Sequence, residues 1–413
     1  MRRFICFLSA AVLFFPGSKD MYAQIAEYLY MSDCRVDTLR KGQLSFEADN
    51  LSFFKDNEFN STVQKGYTLP GFWLHLKTIY YPCTNLKLET GVHSIWFWGA
   101  TRYPAFAYQG ISSWRGREDT YYVHVLPYFR AHVALSGCLD VVLGNIYGGS
   151  NHRLIEPLYN PELNLTSDPE SGLQLLYNTK WLHLDMWVNW MTYIYKLDTK
   201  QEVFAAGTTA RFDANREDAP LHVYSRLQGL TQHRGGEIDV TNENVQTIMN
   251  GAAGIGFKRN INRKILKYIN AEFDVTGYSY AKGRGVSVPG KGSGFYAELS
   301  VRLQDFNIKA SYWRCKNFVT ILGNPFYGSA SIKNENMLYE KPEMLHIGWD
   351  YLYPVKMEKG FSFGVMAEVY YYLSGGMYSS ETGLPASDPF GRNTNFSAGV
   401  CLRINPSFLL KQY

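Results

Sequence analysis

Segments that can form β-strands are separated alternately by short and long gaps from residue 43 to the end of the chain. The short gaps lie near 82–85, 136–137, 180, 213–219, 260–266, 304–305 and 354–360. The long gaps lie near 55–67, 99–120, 148–170, 192–200, 233–245, 281–292, 318–343 and 374–394. Tight turns at one end of the strands, long loops at the other and an even strand number are properties of a transmembrane β-barrel.

Apolar residues alternate with polar residues along each segment, which is the pattern of a strand with two different faces. The most regular strand is 181–190, where Leu182, Leu184 and Met186 share one face and His183 and Asp185 share the other. Regular alternation recurs at 86–94, 123–135, 269–278, 295–304, 306–313, 345–351, 361–371 and 396–404. It is weaker at 43–54, 68–81, 138–147, 171–179, 201–212, 220–232 and 246–258. The total is about sixteen strands, with limits of about 14 and 18.

The polar face carries most of the charge, and this decides which face meets lipid. A charged side chain at the bilayer midplane costs about 2–4 kcal/mol, so the charged face must point inward. In a soluble sandwich the same face would be the solvated one, but the strand number, the loop pattern and the N-terminus favour the barrel. The predicted pore-lining residues are Arg130, His183, Asp185, Arg226, Glu272, Asp274, Glu298, Arg302, Lys309, Asp350 and Glu368.

The N-terminus has the pattern of a secretory signal peptide. Arg2 and Arg3 precede an apolar run from Phe4 to Phe15, which is too short to span a membrane as a helix. We therefore predict four regions after Sec-type export to the cell outer membrane. These are a signal peptide (1–24), a periplasmic lead or small plug (25–42), a single antiparallel transmembrane β-barrel (43–404) and a C-terminal extension (405–413).

In architecture the chain resembles the sixteen-stranded porins of Gram-negative outer membranes, over residues 43 to 404. In that family the third long loop folds into the lumen and narrows it, and by count the equivalent here is 148–170. The resemblance implies that His152, Arg153, Glu156 and Asp168 lie at a constriction, and it implies trimers as the homo-oligomer. The family's own loop signature is missing, and its terminal Phe is replaced by an extension ending in Tyr413.

Sequence motifs for catalysis, cofactors or metals were not found. The run HRGGEID (233–239) fits either a ligand site or a turn with solvated charges, and we expect the turn. Five cysteines remain after the predicted cleavage, and one bridge, between Cys83 and Cys138, is conceivable. Cleavage would also lower the formal charge from +4 to about +2, which argues against nucleic acid as a partner.

These observations predict a porin-like channel for the passive diffusion of small polar solutes, in contact with outer-membrane lipid. The alternative is a closed or plugged barrel that binds a polysaccharide or an envelope partner at the surface. An outer-membrane hydrolase is a less favoured alternative, because barrel enzymes are as a rule smaller. A catalytic triad formed across strands cannot be recognised from sequence. We predict that the protein is not an enzyme and has no cofactor, metal or catalytic residue.

Overall fold

The computed structural model describes residues 29–98, 123–194, 201–236, 240, 245–282, 289–334, 336–353, 360–385 and 393–413. The predicted signal peptide, 1–24, lies outside these residues, as do Glu237 and Asp239 of the HRGGEID run. No helix in the described part of the chain is long and apolar enough to cross a membrane.

The chain forms one antiparallel sheet that closes on itself. Each strand from β1 to β15 pairs with the next one along the chain, and β1 also pairs with β16 and β17. The first eight strands are β1 (Gln43–Glu58), β2 (Tyr67–Cys83), β3 (Leu86–Phe97), β4 (His124–Ala134), β5 (Leu139–Asn145), β6 (Ser171–Asn178), β7 (Leu182–Thr192) and β8 (Val203–Asp213). The others are β9 (Leu221–Arg234), β10 (Gln246–Asn260), β11 (Leu266–Lys282), β12 (Lys291–Leu303), β13 (Phe306–Lys316), β14 (Met337–Tyr353), β15 (Phe361–Ser379), β16 (Thr394–Ile404) and β17 (Ser407–Gln412).

The predicted barrel of about sixteen strands is confirmed. β16 pairs with the second half of β1 and β17 with its first half, so these two segments occupy one position in a sixteen-stranded wall. The break between them contains Pro406, which lacks the N–H that a continuous ladder needs. We predicted that the barrel ends at residue 404, but the sheet continues to Gln412 because β17 still hydrogen-bonds to β1.

The two faces of the wall differ as alternation requires. On β9, for example, Leu221 and Leu227 face outward and are 46% and 55% exposed, while His222 and Gln228 face inward and are buried. An apolar outer band is what a wall in contact with lipid needs, since each charge placed there is costly.

Two loops fill the extracellular half of the lumen. In the segment 318–332 nearly every residue is buried, and Phe326 and Tyr327 have no exposed surface. This segment hydrogen-bonds to loop 148–170 through Thr320 Oγ1 and the Pro157 carbonyl oxygen, 2.6 Å apart. It also contacts the loop after β1, where the Ile332 N–H donates to the Val63 carbonyl oxygen. The extracellular half of the lumen is therefore filled by packed loop residues.

Candidate functional site

Most of the predicted pore-lining residues lie on the inner wall in ion pairs or hydrogen bonds with each other or with a loop. Arg226 bonds to Glu272 and Asp274, with nitrogen–oxygen distances of 2.7 Å and 2.6 Å. The other contacts are Arg130 with Glu89, His183 with Asp213, Asp185 with His152, Glu298 with Tyr296, Lys309 with Glu156, Asp350 with Asn307, and Glu368 with Lys55. Arg302 is buried and makes no such contact among the described residues.

The predicted constriction residues divide into two groups. His152 contacts Asp185 and Glu170, and Asp168 contacts His124 at the start of β4. Glu156 reaches across the lumen to Lys309, Tyr327 and His346, whereas the Arg153 side chain is exposed to the lumen cavity. Burial alone would raise the pKa of Glu156, but Lys309 and His346 outweigh it and hold that pKa well below its ordinary value. Loop 148–170 is thus fastened to opposite walls.

A cavity of about 390 Å³ lies between these loops and the periplasmic ends of the strands. Its wall includes Glu217 and Lys258 near the periplasmic turns, and Glu162 from loop 148–170. Lys258 pairs with Glu217 at 3.3 Å, and Glu162 pairs with Lys55 at 3.0 Å. The cavity wall therefore carries charged side chains, and these side chains largely neutralise one another in ion pairs.

A hydroxyl, an imidazole and two carboxylates meet on the inner wall beside this cavity. Ser311 on β13 lies opposite His346 on β14, with Oγ and Nδ1 3.5 Å apart. Glu156 contacts the same Nδ1 at 3.1 Å, and Glu368 faces Nε2 at 3.6 Å. Nδ1 of His346 therefore has Glu156, Tyr327 and Ser311 around it, so Ser311 shares this nitrogen with a carboxylate and a phenol rather than pairing with it alone. The cluster is an ion-pair network that joins the loop to the wall.

A second hydroxyl–imidazole pair lies on the outer wall at the extracellular end. Alternation along β9 puts His233 on the same face as Leu227, and its Nδ1 is 2.8 Å from Thr247 Oγ1 on β10. The other described strand histidines lie on the inner face. His233 is the third residue of a row across four neighbouring strands, and the row runs Trp190, Phe204, His233, Thr247.

Aromatic rings border this pair on one side. The rings of Phe204 and His233 are 5.1 Å apart, and those of Trp190 and Phe204 are 5.4 Å apart. Trp190 Nε1 donates to Glu202 Oε1 at 3.0 Å, which fixes the indole. The outer wall here offers an apolar surface, a hydroxyl and an imidazole side by side.

From the sequence we expected His233 to lie in a turn with solvated charges, and Thr247 was not among the predicted site residues. His233 is instead the penultimate residue of β9 and lies on the outward face of the strand. One feature of the sequence indicates the outward position: His233 is an even number of residues from the lipid-facing Leu221 and Leu227, so it lies on the same face of the strand. Its pairing with Thr247 depends on the register between β9 and β10, which spans a long loop.

Similar solved structures are bacterial outer-membrane proteins. OpdK of Pseudomonas aeruginosa has a TM-score of 0.50 at 10% identity, over 89% of this chain and all (100%) of that chain. OccAB1 of Acinetobacter baumannii has a TM-score of 0.48 at 8% identity, over 89% of this chain and 97% of that chain. At this identity the likeness to OpdK shows the fold, and it confirms the resemblance to Gram-negative outer-membrane barrels. The protein is an outer-membrane β-barrel in contact with membrane lipid.

No curated protein matches the sequence. A family model described as "Lipid A 3'-O-deacylase-type" matches residues 36–413. This match points to a hydrolytic enzyme, so the prediction that the protein is not an enzyme is wrong. Because the match takes in every strand of the barrel, the chain belongs to the lipid A 3'-O-deacylase-type family.

Proposed function

We propose that the protein is an outer-membrane hydrolase that cleaves an acyl ester of a lipid A-like glycolipid, and that His233 and Thr247 perform the reaction. The observation that carries the assignment is the 2.8 Å contact between Nδ1 and Oγ1 on the outer wall. Family membership supports the reaction class, and the position of the pair supports the substrate class.

The position favours this pair over the Ser311–His346 cluster. The ester bonds of an outer-leaflet glycolipid lie between its sugar head group and its acyl chains, at the boundary of the hydrocarbon layer. The outer wall near the extracellular strand ends meets that boundary directly. The Ser311–His346 cluster is buried in a lumen that packed loops fill from the extracellular side.

The contact allows nucleophilic catalysis with a general base. His233 Nδ1 accepts the hydroxyl proton while Thr247 Oγ1 attacks the acyl carbonyl carbon. The ester C–O bond then breaks, and the departing sugar oxygen takes that proton. The same imidazole then takes a proton from water, whose oxygen attacks the carbonyl carbon of the acyl-threonine. The bond to Thr247 Oγ1 breaks, the imidazole returns the proton to that oxygen, and the fatty acid is released. Phe204 and Trp190 provide apolar surface against which an acyl chain can lie.

The test is release of fatty acid from purified lipid A in mixed micelles, followed by mass spectrometry. Without the base, Thr247 is a weak nucleophile, so His233→Asn should lower the rate by about 10²-fold or more. Thr247→Val should do the same, while Thr247→Ser keeps the hydroxyl and retains activity. The matched control is Thr208→Val, which removes an outward hydroxyl from the middle of β8. Full activity in Thr247→Val would overturn the assignment, as would a wild-type protein that releases no acyl chain.

A second candidate is passage of small polar solutes, which we predicted from the sequence. The charged cavity of about 390 Å³ supports it, and the packed segment 318–332 weighs against a path of porin width. Single-channel conductance of residues 25–413 in a planar bilayer separates the two functions. Stable current steps in wild-type protein support a channel, and a folded but silent barrel argues against it.

A further inference from the structure

Arg302, on the inner face of β12, is a buried cation that makes no ion pair or hydrogen bond with the described residues. Asp305, in the turn to β13, interacts with it electrostatically but is not in ion-pair contact. Its side chain is 2% exposed, and Nε and Nη1 are buried without a hydrogen-bond acceptor. A guanidinium stays charged at any physiological pH, so it cannot escape the cost of burial by losing a proton. An uncompensated buried charge of this kind is unfavourable unless another group neutralises it.

The other buried lysine and arginine side chains of the described residues show how the lumen normally meets this cost. These four are Lys55, Lys77, Arg130 and Arg403. Each has an acidic partner, at 3.0 Å from Glu162, 2.9 Å from Glu47, 3.3 Å from Glu89 and 2.8 Å from Asp49, respectively. Arg302 is the exception because no carboxylate is in ion-pair contact with it among the described residues, and the difference points to a partner supplied from outside the chain.

Two uncharged polar groups beside Arg302 also lack partners. Ser300 lies two residues away on the same face, and Asn307 lies directly opposite Arg302 on β13. Ser300 Oγ and Asn307 Oδ1 are both buried without a hydrogen bond. The amide of Asn307 donates to Asp350 Oδ2 at 3.0 Å, which leaves Oδ1 as the free acceptor. Both Asn307 and Tyr268, which pairs with Arg302 from β11, line the lumen cavity.

We propose that Arg302, Ser300 and Asn307 form a binding site for a small phosphate or phosphomonoester anion that enters through the lumen cavity. The planar guanidinium binds oxyanions through parallel hydrogen bonds. The free carbonyl of Asn307 selects a ligand that also carries an O–H. A monoprotonated phosphate has both features, whereas a carboxylate or sulfate has only acceptors. The site is separate from the outer-wall pair and does not depend on the proposed hydrolase activity.

The test is calorimetric titration of the full barrel in detergent with inorganic phosphate and, separately, with sulfate. We expect saturable phosphate binding that is tighter than sulfate binding. Arg302→Gln should weaken phosphate binding at least tenfold. Arg216→Gln removes the same charge from an exposed periplasmic turn, where the side chain is 83% exposed, and should bind as the wild type does.

Asn307→Leu keeps the guanidinium and removes the acceptor, so it should abolish the preference for phosphate over sulfate. A heat-modifiability gel checks that each variant folds, and this variant keeps the test decisive if Arg302→Gln does not fold. No saturable phosphate binding by the wild type would overturn the proposal. So would an undiminished affinity in a folded Arg302→Gln, or an unchanged preference in Asn307→Leu.

Discussion

His152 lies flat against Trp187, with ring centroids 3.6 Å apart and ring planes 9° apart. Its Nδ1 is 2.7 Å from Asp185 and its Nε2 is 3.1 Å from Glu170. Burial alone would lower the pKa of His152, but the two carboxylates outweigh it and raise that pKa to about 9. The contact fastens loop 148–170 to β7 by stacking and by charge together.

This contact makes stability depend on pH. The folded pKa of His152 is above its unfolded value of 6.5, so the stabilisation is complete below about pH 6.5 and is lost as pH rises through about 9. The change is up to about 3 kcal/mol. We expect the midpoint of thermal unfolding to fall over this range in wild type and to stay flatter in His152→Gln. His183→Gln, which removes a half-exposed histidine, should keep the wild-type slope.

Two arginine–carboxylate pairs should differ greatly in their contribution to stability. Arg403 bonds to both oxygens of Asp49, at 2.9 Å and 2.8 Å, and also donates to the carbonyl oxygens of Leu29 and Met31. Arg403→Ala strands a buried Asp49 and should cost about 3–5 kcal/mol in the free energy of unfolding. Arg216→Ala breaks an exposed pair with Asp218 and should cost no more than about 1 kcal/mol.

The same substitution tests whether Arg403 anchors the segment after the predicted signal peptide. Arg403→Ala removes the hydrogen bonds to the Leu29 and Met31 carbonyl oxygens. A protease should therefore cut residues 29–42 faster in this variant than in Arg216→Ala. Equal cleavage rates in two folded variants would mean that other contacts hold this segment.

Neutralising the two neighbouring charges of loop 148–170 should have unequal effects. Glu156→Gln leaves the partly buried Lys309 and the buried His346 without their main acidic partner, so we expect a large loss of stability. Arg153→Gln removes an exposed side chain that makes no ion pair with the described residues, and should change stability little. Urea unfolding measures both.

If the lumen conducts, each of these two variants should also change conductance or ion preference, because both residues belong to the predicted constriction. Values unchanged from wild type in both variants would contradict the role of this loop as a constriction.

Phe326 holds the packed loops together at the centre of the lumen. Its ring is 4.8 Å from that of Phe59 and 4.6 Å from that of Tyr370, and it is fully buried. Phe326→Ala should cost about 3–5 kcal/mol and increase single-channel conductance, because it removes packing from the closed half of the barrel. The lipid-facing control Phe273→Ala, at a residue that is 45% exposed, should cost less and leave conductance unchanged.

Part of the candidate site followed from local patterns. The alternation along β9 was enough to put His233 on the lipid face, but its polar neighbours led us to expect a solvated turn. Thr247 is separated from His233 in sequence by a loop, so their contact depends on strand register rather than on spacing. Likewise, Ser311 and His346 come together only because β13 and β14 pair across segment 318–332.

The class of fold, a strand number of about sixteen and the face that meets lipid could all be predicted from the sequence, because a period of two and the length of each gap are local properties of the chain. Three features emerge only when the barrel closes: loops fill the lumen, Glu156 reaches Lys309, and Arg302 makes no ion pair or hydrogen bond with the described residues. These relationships depend on barrel closure and on strand register. A shift of register by one residue turns every side chain of a strand to the other face, and the composition of the strand is unchanged by it.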